Sequence, residues 1–436
     1  MSRFLLIALR KRRARSIVLI GCLALAAWSL LASLLPGGSG DVLLALGLGA
    51  DALALGGLTA LALSRRRASA SLAGAARRHD SHDELAAARH LVDRYGEDSI
   101  SPFIVRPDKA YAFAAGGVIS YRVFGRTAVV SGDPVAPAGA APAVAARFLD
   151  TARAHGWDVA VYGASEAQLQ TYHRLGLRSM CVGEEAVVRP ENFSLDGRPV
   201  RKLRQSVHRV ERRGWQIVAF DGIDIDLVTE AEIEALETRW RAQRPRLLGF
   251  AMSMGPYEAG IRPRDLYLLA RSPEGALTAA MHFVAHRGKL SLATMRRVGE
   301  NPNGLNEALV CRAIEVARER GVSEVSLNYA GLAHVIRGRA SGGWLRRGAI
   351  GIATAVLGRR FQMERLIRFN DKFAPQWRPR YLVYPSRRAL PRTIYRVLQA
   401  EGYLGRRWDS RRPVPPVSAP RSEPVPSSVR AYVSGR

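Results

Sequence analysis

The stretch AYAFAAGGVISYRVFGRTAVVSGDP, residues 110–134, decides the fold. It holds three short apolar runs, 110–114, 118–124 and 126–130, broken at Gly116-Gly117 and at Gly125. β-Branched and aromatic residues fill the runs and glycines supply the turns, so the stretch predicts a three-strand meander ending at Ser131-Gly132-Asp133-Pro134. Upstream, Ser81 and Glu84 have the spacing of a capping box for a helix reaching about residue 95. Downstream, the pattern predicts a helix over 141–155, a strand over 158–162, a helix over 166–175 and a strand over 185–188. The order then recurs. Residues 233–243 read as a helix, and 266–270, 277–286 and 289–295 as a second meander. A long amphipathic helix over 305–320 and a strand over 324–328 follow. Residues 337–358 interrupt this second pass before the segment 364–369 and a last strand, 381–384.

A meander followed by αβ units, twice over, predicts an α/β (α+β) protein of tandem GNAT-like acyltransferase folds. The domain organisation expected is a membrane hairpin with basic flanks at 1–68 and a first GNAT-like domain at 80–195. A basic connecting segment at 196–225, a second domain at 226–405 and a Pro/Ser/Arg tail at 406–436 complete it.

The 436 residues carry 65 Lys+Arg against 38 Asp+Glu, a formal charge of +27. Arginine dominates, which a GC-rich genome explains in part, but the excess over acids implies an anionic partner, nucleic acid or lipid. The cysteines, Cys22, Cys181 and Cys311, are far apart and form no CxxC or Cys/His cluster. No disulfide framework or metal site is therefore expected, which fits a reducing compartment. Neither a Ser/His/Asp nor a Cys/His arrangement suggests a covalent enzyme intermediate, and no cofactor is expected. His282 reads as strand packing rather than a base.

Residues 16–35 are uncharged and long enough to cross a bilayer core of about 30 Å as a helix. A second apolar run, 42–63, follows a Pro/Gly/Ser turn, with Asp51 inside it. Arginines and a lysine flank the pair only on its outer ends, so the expectation is a two-helix hairpin in the cell (inner) membrane with a cytoplasmic body. Within that body, RFNDKFAPQWRPRYL, 368–382, packs four aromatics with four basic side chains. It reads either as a surface holding phosphates and an apolar group or as a Pro-rich connector into the last strand. Arg201, Lys202, Arg204 and Arg209 fall on a basic helix, and Arg346 and Arg347 lie in an apolar run flanked by arginines. The first suits contact with a polyanion and the second an interfacial segment against anionic lipid, or else a solvated linker and a buried helix.

Seven short stretches in shared order carry a resemblance: 130–134, 183–186, 203–205, 295–297, 301–305, 326–328 and 368–382. With them the body resembles the catalytic domain of the phosphatidylglycerol lysyltransferases, the aminoacyl-phosphatidylglycerol synthases of the multiple peptide resistance factor type. The resemblance implies transfer of an aminoacyl group from aminoacyl-tRNA to phosphatidylglycerol at the bilayer. It implies catalytic roles for Arg296, Asn328 and Lys372. Substrate contacts would come from Asp133, Glu184, Glu185, Ala293, Asn303, Gly304 and Glu307, and from Phe369, Phe373, Trp377, Arg378 and Arg380. Two apolar runs stand in place of the family's many-span module, and no tRNA synthetase domain is recognisable. Ala293 occupies the position of an acid that, in the family pattern, meets a cationic aminoacyl side chain. The alternatives are a non-catalytic tRNA- or lipid-binding membrane protein of the same fold, or a Fem-type transferase acting on a peptidoglycan precursor.

Overall fold

The computed structural model describes residues 83–243, 249–251, 262–331 and 360–404. The expected hairpin, the capping Ser81, the arginine-flanked run with Arg346 and Arg347, and the tail lie outside the described residues. Among the described residues no helix is long and apolar enough to cross a membrane.

Helix α1 (83–95) precedes β1 (Ala110–Ala114), β2 (Gly117–Phe124) and β3 (Thr127–Ser131). Then come α2 (Ala141–Ala154), β4 (Asp158–Ser165), α3 (Leu169–Arg174) and β5 (Arg178–Val188). The second pass comprises α4 (Arg201–Arg212), β6 (Gln216–Asp221), α5 (Leu227–Ala242), β7 (Leu266–Arg271), β8 (Leu277–His286) and β9 (Lys289–Arg297). It closes with α6 (Leu305–Glu319), β10 (Glu324–Gly331), α7 (Arg360–Asp371), β11 (Gln376–Tyr384) and α8 (Leu390–Ala400).

The meanders form where the turns dictate. Ala115 and Gly116 both take positive φ between the paired Ala114 and Gly117, the two-residue hairpin geometry that matches strand twist. Arg287 and Gly288 repeat it between His286 and Lys289. Elsewhere the structure departs from the expected pattern. The helix expected over 166–175 begins as a 3-10 turn, Glu166–Gln168, and α3 is only six residues long. Strand β6 falls inside the expected connecting segment; its alternation of exposed and half-buried residues is that of an edge strand, paired only with β7.

The eleven strands among the described residues form one mixed sheet in the order β1-β2-β3-β4-β11-β5-β10-β9-β8-β7-β6. The chain's last strand, β11, thus lies in the first half of the sheet, between β4 and β5, while β5 borders the second half through β10. Outward from the antiparallel β11–β5 pair, the pattern is the same on both sides. β4 pairs antiparallel with β11 and parallel with β3; β10 pairs antiparallel with β5 and parallel with β9. Each inner strand carries an extra residue at positive φ, Gly163 in β4 and Asn328 in β10.

Apolar alternation on the strands sets the layers. Leu266, Leu268 and Ala270 of β7 pack under α4 and α6, whereas Leu269 points the other way, to Leu236 of α5. In the first half, α2 covers Tyr121, Val130 and Val161 on one face, and α8 covers Val129, Ala160 and Leu382 on the other.

Gly304 caps α6 at φ +102°, and a Cβ there would lie 2.8 Å from the Ser206 Cβ on α4. The glycine therefore serves both the left-handed cap and close approach of two helices. Gly304→Ala is expected to lower unfolding stability by about 1–3 kcal/mol. Gly321→Ala, also at positive φ but with open space around it, should cost clearly less; urea denaturation of the two variants checks the difference.

Candidate active site

The β11–β5 pair brings Arg380 against Glu185, and both are buried. The Arg380 guanidinium donates through Nε at 2.9 Å and Nη2 at 2.5 Å to Glu185 Oε2. Its Nη1 donates to Asp98 at 2.8 Å and its Nη2 to the Ser99 hydroxyl at 2.8 Å. Ser326 Oγ on β10 donates at 2.5 Å to the second Glu185 oxygen. Burial opposes the arginine's charge, but Asp98 and Glu185 more than offset it and raise its pKa. Two residues earlier, Arg378 forks onto Glu324, with Nη1 at 2.9 Å, and Lys289 adds a contact at 3.3 Å. Hydrogen bonds from Arg378 push the Glu324 carboxyl down to about 2.

All of these residues except Glu185 line a cavity of about 1020 Å³ at the ends of β3 and β4, beneath residues 94–101. Asp133 and Ser165 form one wall, and His286, Ser291 and Ser326 another. Asp133 accepts from the Ser165 backbone N–H at 2.9 Å and the Tyr172 hydroxyl at 3.0 Å. Its carboxyl is enclosed while the rest of the residue reaches the cavity; burial first, then Asp98, pushes it up to about 6. His286 and Ser291 are buried; the Ser291 hydroxyl has no hydrogen-bond partner in the protein, and the imidazole has none in good geometry, with the Val284 backbone its nearest polar neighbour.

The residues expected to be catalytic lie elsewhere. Arg296, at the end of β9, donates through Nε at 2.8 Å to Glu237 of α5 and stacks on Trp240, 3.8 Å from the ring centroid. Lys372 bonds Glu307 at 2.6 Å at the start of α6, which packs on the opposite face of the sheet from α5. The structure therefore does not bring Arg296 and Lys372 into one cluster. Asn328 spends its side chain on the bulge: its amide donates to the Leu292 carbonyl at 3.1 Å, and its oxygen accepts from the Tyr329 N–H at 2.6 Å. Asn303 is exposed and precedes the Gly304 cap.

The 368–382 stretch is a core element more than an open surface. Phe373 is buried against Phe193, and Phe369 meets Phe373 edge-on at 5.4 Å. Trp377 packs on the same core and donates to Asp371 at 3.1 Å. Glu184, next to the buried Glu185, is itself buried. On α4, Arg201, Lys202 and Arg209 are exposed, whereas Arg204 reaches the Leu195 carbonyl at 2.5 Å. Ala293 is buried with Ile100, Phe103, Ala251 and Val284, against Tyr162 and Tyr329. Those tyrosine rings meet edge-on at 6.0 Å and share a hydrogen bond. Sequence reading missed Asp98, Glu237, Trp240, the tyrosine pair, His286 and Ser291. Of these, only Glu237 and Trp240 carried a local signal, being three residues apart on an expected helix. His282, stacked on Tyr267 and bonded to Asp265 at 2.8 Å, is part of the packing.

The family described as phosphatidylglycerol lysyltransferase, C-terminal, matches residues 89–384, well over half of the chain. The chain belongs to this family. It is 33% identical over 331 residues to the lysylphosphatidylglycerol biosynthesis bifunctional protein LysX of Rhodococcus jostii, covering 74% of this chain. The same protein of Mycobacterium tuberculosis is 33% identical over 332 residues. The chain spans about 29% of the length of the first of these relatives and 28% of the second. The fold is shared with L-PGS from Bacillus licheniformis, at TM-score 0.59 and 23% identity over 72% of this chain and 96% of that one. It is also shared with the C-terminal domain of a putative lysylphosphatidylglycerol synthetase from Agrobacterium fabrum, at TM-score 0.64 and 23% identity, covering 74% and 98%.

Within this family member the buried network carries two expectations. Arg380→Ala leaves Glu185 buried and uncompensated, and should cost about 3–5 kcal/mol of stability in denaturant titrations. Asp133 behaves differently, because its raised pKa makes the protonated carboxyl the form that favours folding. Its penalty develops as pH rises from the ordinary carboxylate range through about 6 and is complete above that. The stability of Asp133→Asn relative to wild type should therefore rise between about pH 4 and about pH 7, as measured by urea midpoints.

Proposed function

We propose that this chain is a membrane-tethered aminoacyltransferase that moves an aminoacyl group from aminoacyl-tRNA to phosphatidylglycerol. Such transfer changes the surface charge of the membrane and resistance to cationic peptides. The family match over residues 89–384 carries the reading. The basic balance of the chain, +27, suits two polyanionic substrates. The apolar runs at 16–35 and 42–63 suit a hairpin that keeps the body at the inner leaflet. The reaction exchanges one ester for another, so positioning and oxyanion stabilisation are what the site must supply. Arg296, fixed by Glu237 and Trp240, is the cation assigned to the reacting ester or to the adjacent phosphate.

The aminoacyl side chain we assign is neutral, so that only the α-amino group adds charge to the lipid. Ala293 and its neighbours Val284, Phe103 and Ala251 offer a lysyl ammonium no charge partner. In a partly buried pocket such a pair is worth on the order of 1–3 kcal/mol, about ten- to a hundredfold in discrimination. That same closed apolar surround is what favours a second reading, a non-catalytic tRNA- or lipid-binding protein of this fold.

The test is transfer from purified alanyl-, lysyl- and arginyl-tRNA to phosphatidylglycerol vesicles. Alanyl transfer should exceed lysyl, and Ala293→Asp should shift the balance towards lysyl. Arg296→Ala should lower turnover by more than about tenfold, equivalent to a lost charge-assisted contact. Lys372→Ala, held on the far face by Glu307, should lower it less. Strong lysyl preference in the wild type overturns the neutral assignment, and no transfer from any charged tRNA favours the non-catalytic reading.

A further inference from the structure

The cavity beneath residues 94–101 differs from a phosphate site. Its lining holds five cations, Arg94, Arg287, Lys289, Arg378 and Arg380. Five acids match them: Glu97, Asp98, Asp133, Glu166 and Glu324. Four of the cations are already paired, Arg287 with Glu97, Lys289 and Arg378 with Glu324, and Arg380 with Asp98. A phosphate drawn inside would lose its water without gaining a surplus cation. What the cavity does offer is uncharged hydrogen-bonding capacity. His286 has nine-tenths of its surface buried, and Ser291 is fully buried. Both line the cavity; Ser291 Oγ has no partner in the protein, and the His286 nitrogens have none in good hydrogen-bond geometry, their one polar backbone neighbour being Val284. They stand on adjacent strands, where His286 faces Lys289 and Val284 faces Ser291.

We propose that this cavity takes an uncharged vicinal diol, the free glycerol end of the acceptor, with His286 and Ser291 as its hydrogen-bonding partners. The assignment rests on the acceptor reading above and adds which residues hold the hydroxyls. A neutral imidazole offers one donor and one acceptor, and a serine hydroxyl offers both, which matches two hydroxyl groups that each give and take. Burial lowers the His286 pKa, against smaller opposing effects of the Val284 backbone, Asp98 and Glu185 and alongside that of Lys289, so the ring is neutral near neutral pH. The phosphodiester then stays at the mouth, where Arg94 is exposed.

Kinetics of the full chain separate this from a structural role. Ser291→Ala removes a buried hydroxyl that has no protein partner, so a purely structural serine predicts unchanged or higher stability and unchanged kinetics. The proposal predicts instead a rise of about tenfold in KM for phosphatidylglycerol, with KM for charged tRNA unchanged. His286→Ala should do the same, and His286→Gln should recover part of the loss. Unchanged KM for phosphatidylglycerol in folded Ser291→Ala and His286→Ala overturns it.

A second readout does not need turnover. In the histidine NMR spectrum of the detergent-solubilised full chain, the signal absent from His286→Ala should shift on adding glycerophosphoglycerol. It should not shift with inorganic phosphate or phosphatidic acid. A shift with phosphatidylglycerol micelles alone also supports the cavity and shows that the diol must be lipid-borne. A shift with phosphate alone overturns it. Diol binding without transfer from any charged tRNA sinks the transferase reading and leaves the cavity assignment. Transfer without any diol-dependent shift sinks the cavity assignment alone.

Discussion

The Arg380–Glu185 pair is the interaction on which the rest of this sheet depends, because it joins the two strands that close it. Glu185 lies on β5, the last strand of the first pass, and Arg380 on β11, the last of the second. Neither charge is solvated, so each is tolerable only with the other in place and with Asp98, Ser99 and Ser326 completing the hydrogen bonds. A slip of β11 by one residue would turn Arg380 to the other face and place a charge against apolar packing. The pair adds little net stability over an apolar substitute of the same shape. Its physical effect is on register, since every alternative pairing strands at least one buried charge.

Register in turn fixes the chemistry of the cavity. Once Arg380 binds Glu185 and Asp98, and Arg378 binds Glu324, the cations of the stretch 376–380 are spent inside the protein. Two cations of a segment that reads as strongly basic are therefore neutralised by internal acids, while Arg368 and Lys372 remain exposed. The cavity that it borders is polar, yet balanced in charge. This explains why groups without charge, His286 and Ser291, are the ones left with unused hydrogen-bonding capacity.

The meanders and the αβ order were legible because their signals are local. Glycine turns, strand alternation and helix periodicity each act within about ten residues, and the strands 110–114, 266–271 and 277–286 fall within a residue or two of expectation. Strand β11 was legible only at its apolar end, 381–384. Trp377, Arg378 and Arg380 look like surface residues until β5 supplies Ala186 and Glu185 from far away in sequence, and β10 supplies Glu324. The aromatics Phe369 and Phe373 misled for the same reason, because the core that receives them includes Phe193. Gly304 was expected to contact substrate, while its nearest constraint is Ser206 on α4. Conversely, nothing in the local sequence marks His286 or Ser291. Their significance is a lack of partners, which only the packed structure reveals.

The two regions of interest lie along the same strands. On β9, Lys289 and Ser291 border the cavity, Ala293 follows in the apolar cluster, and Arg296 ends the strand beside Glu237. On β10, Glu324 and Ser326 are followed by Asn328 and Tyr329 in the same sense. From Ser291 to Ala293 is two residues of strand, about 6–7 Å. Among the described residues, the cluster between them holds Tyr162 of β4 and Tyr329 of β10, one from each side of the exchanged pair. Each follows or adjoins its strand's positive-φ residue, so both bulges turn a phenol towards the middle of the sheet. If acceptor and donor groups occupy the two regions, they approach each other across this tyrosine pair and not across open solvent. Exclusion of water matters for such a reaction, because an activated ester that meets water before the acceptor hydroxyl is lost to hydrolysis. The strand exchange thus does more than close a sheet: it sets two bulged strands on either side of a partly buried tyrosine pair packed on an apolar cluster, two residues of strand from Ser291.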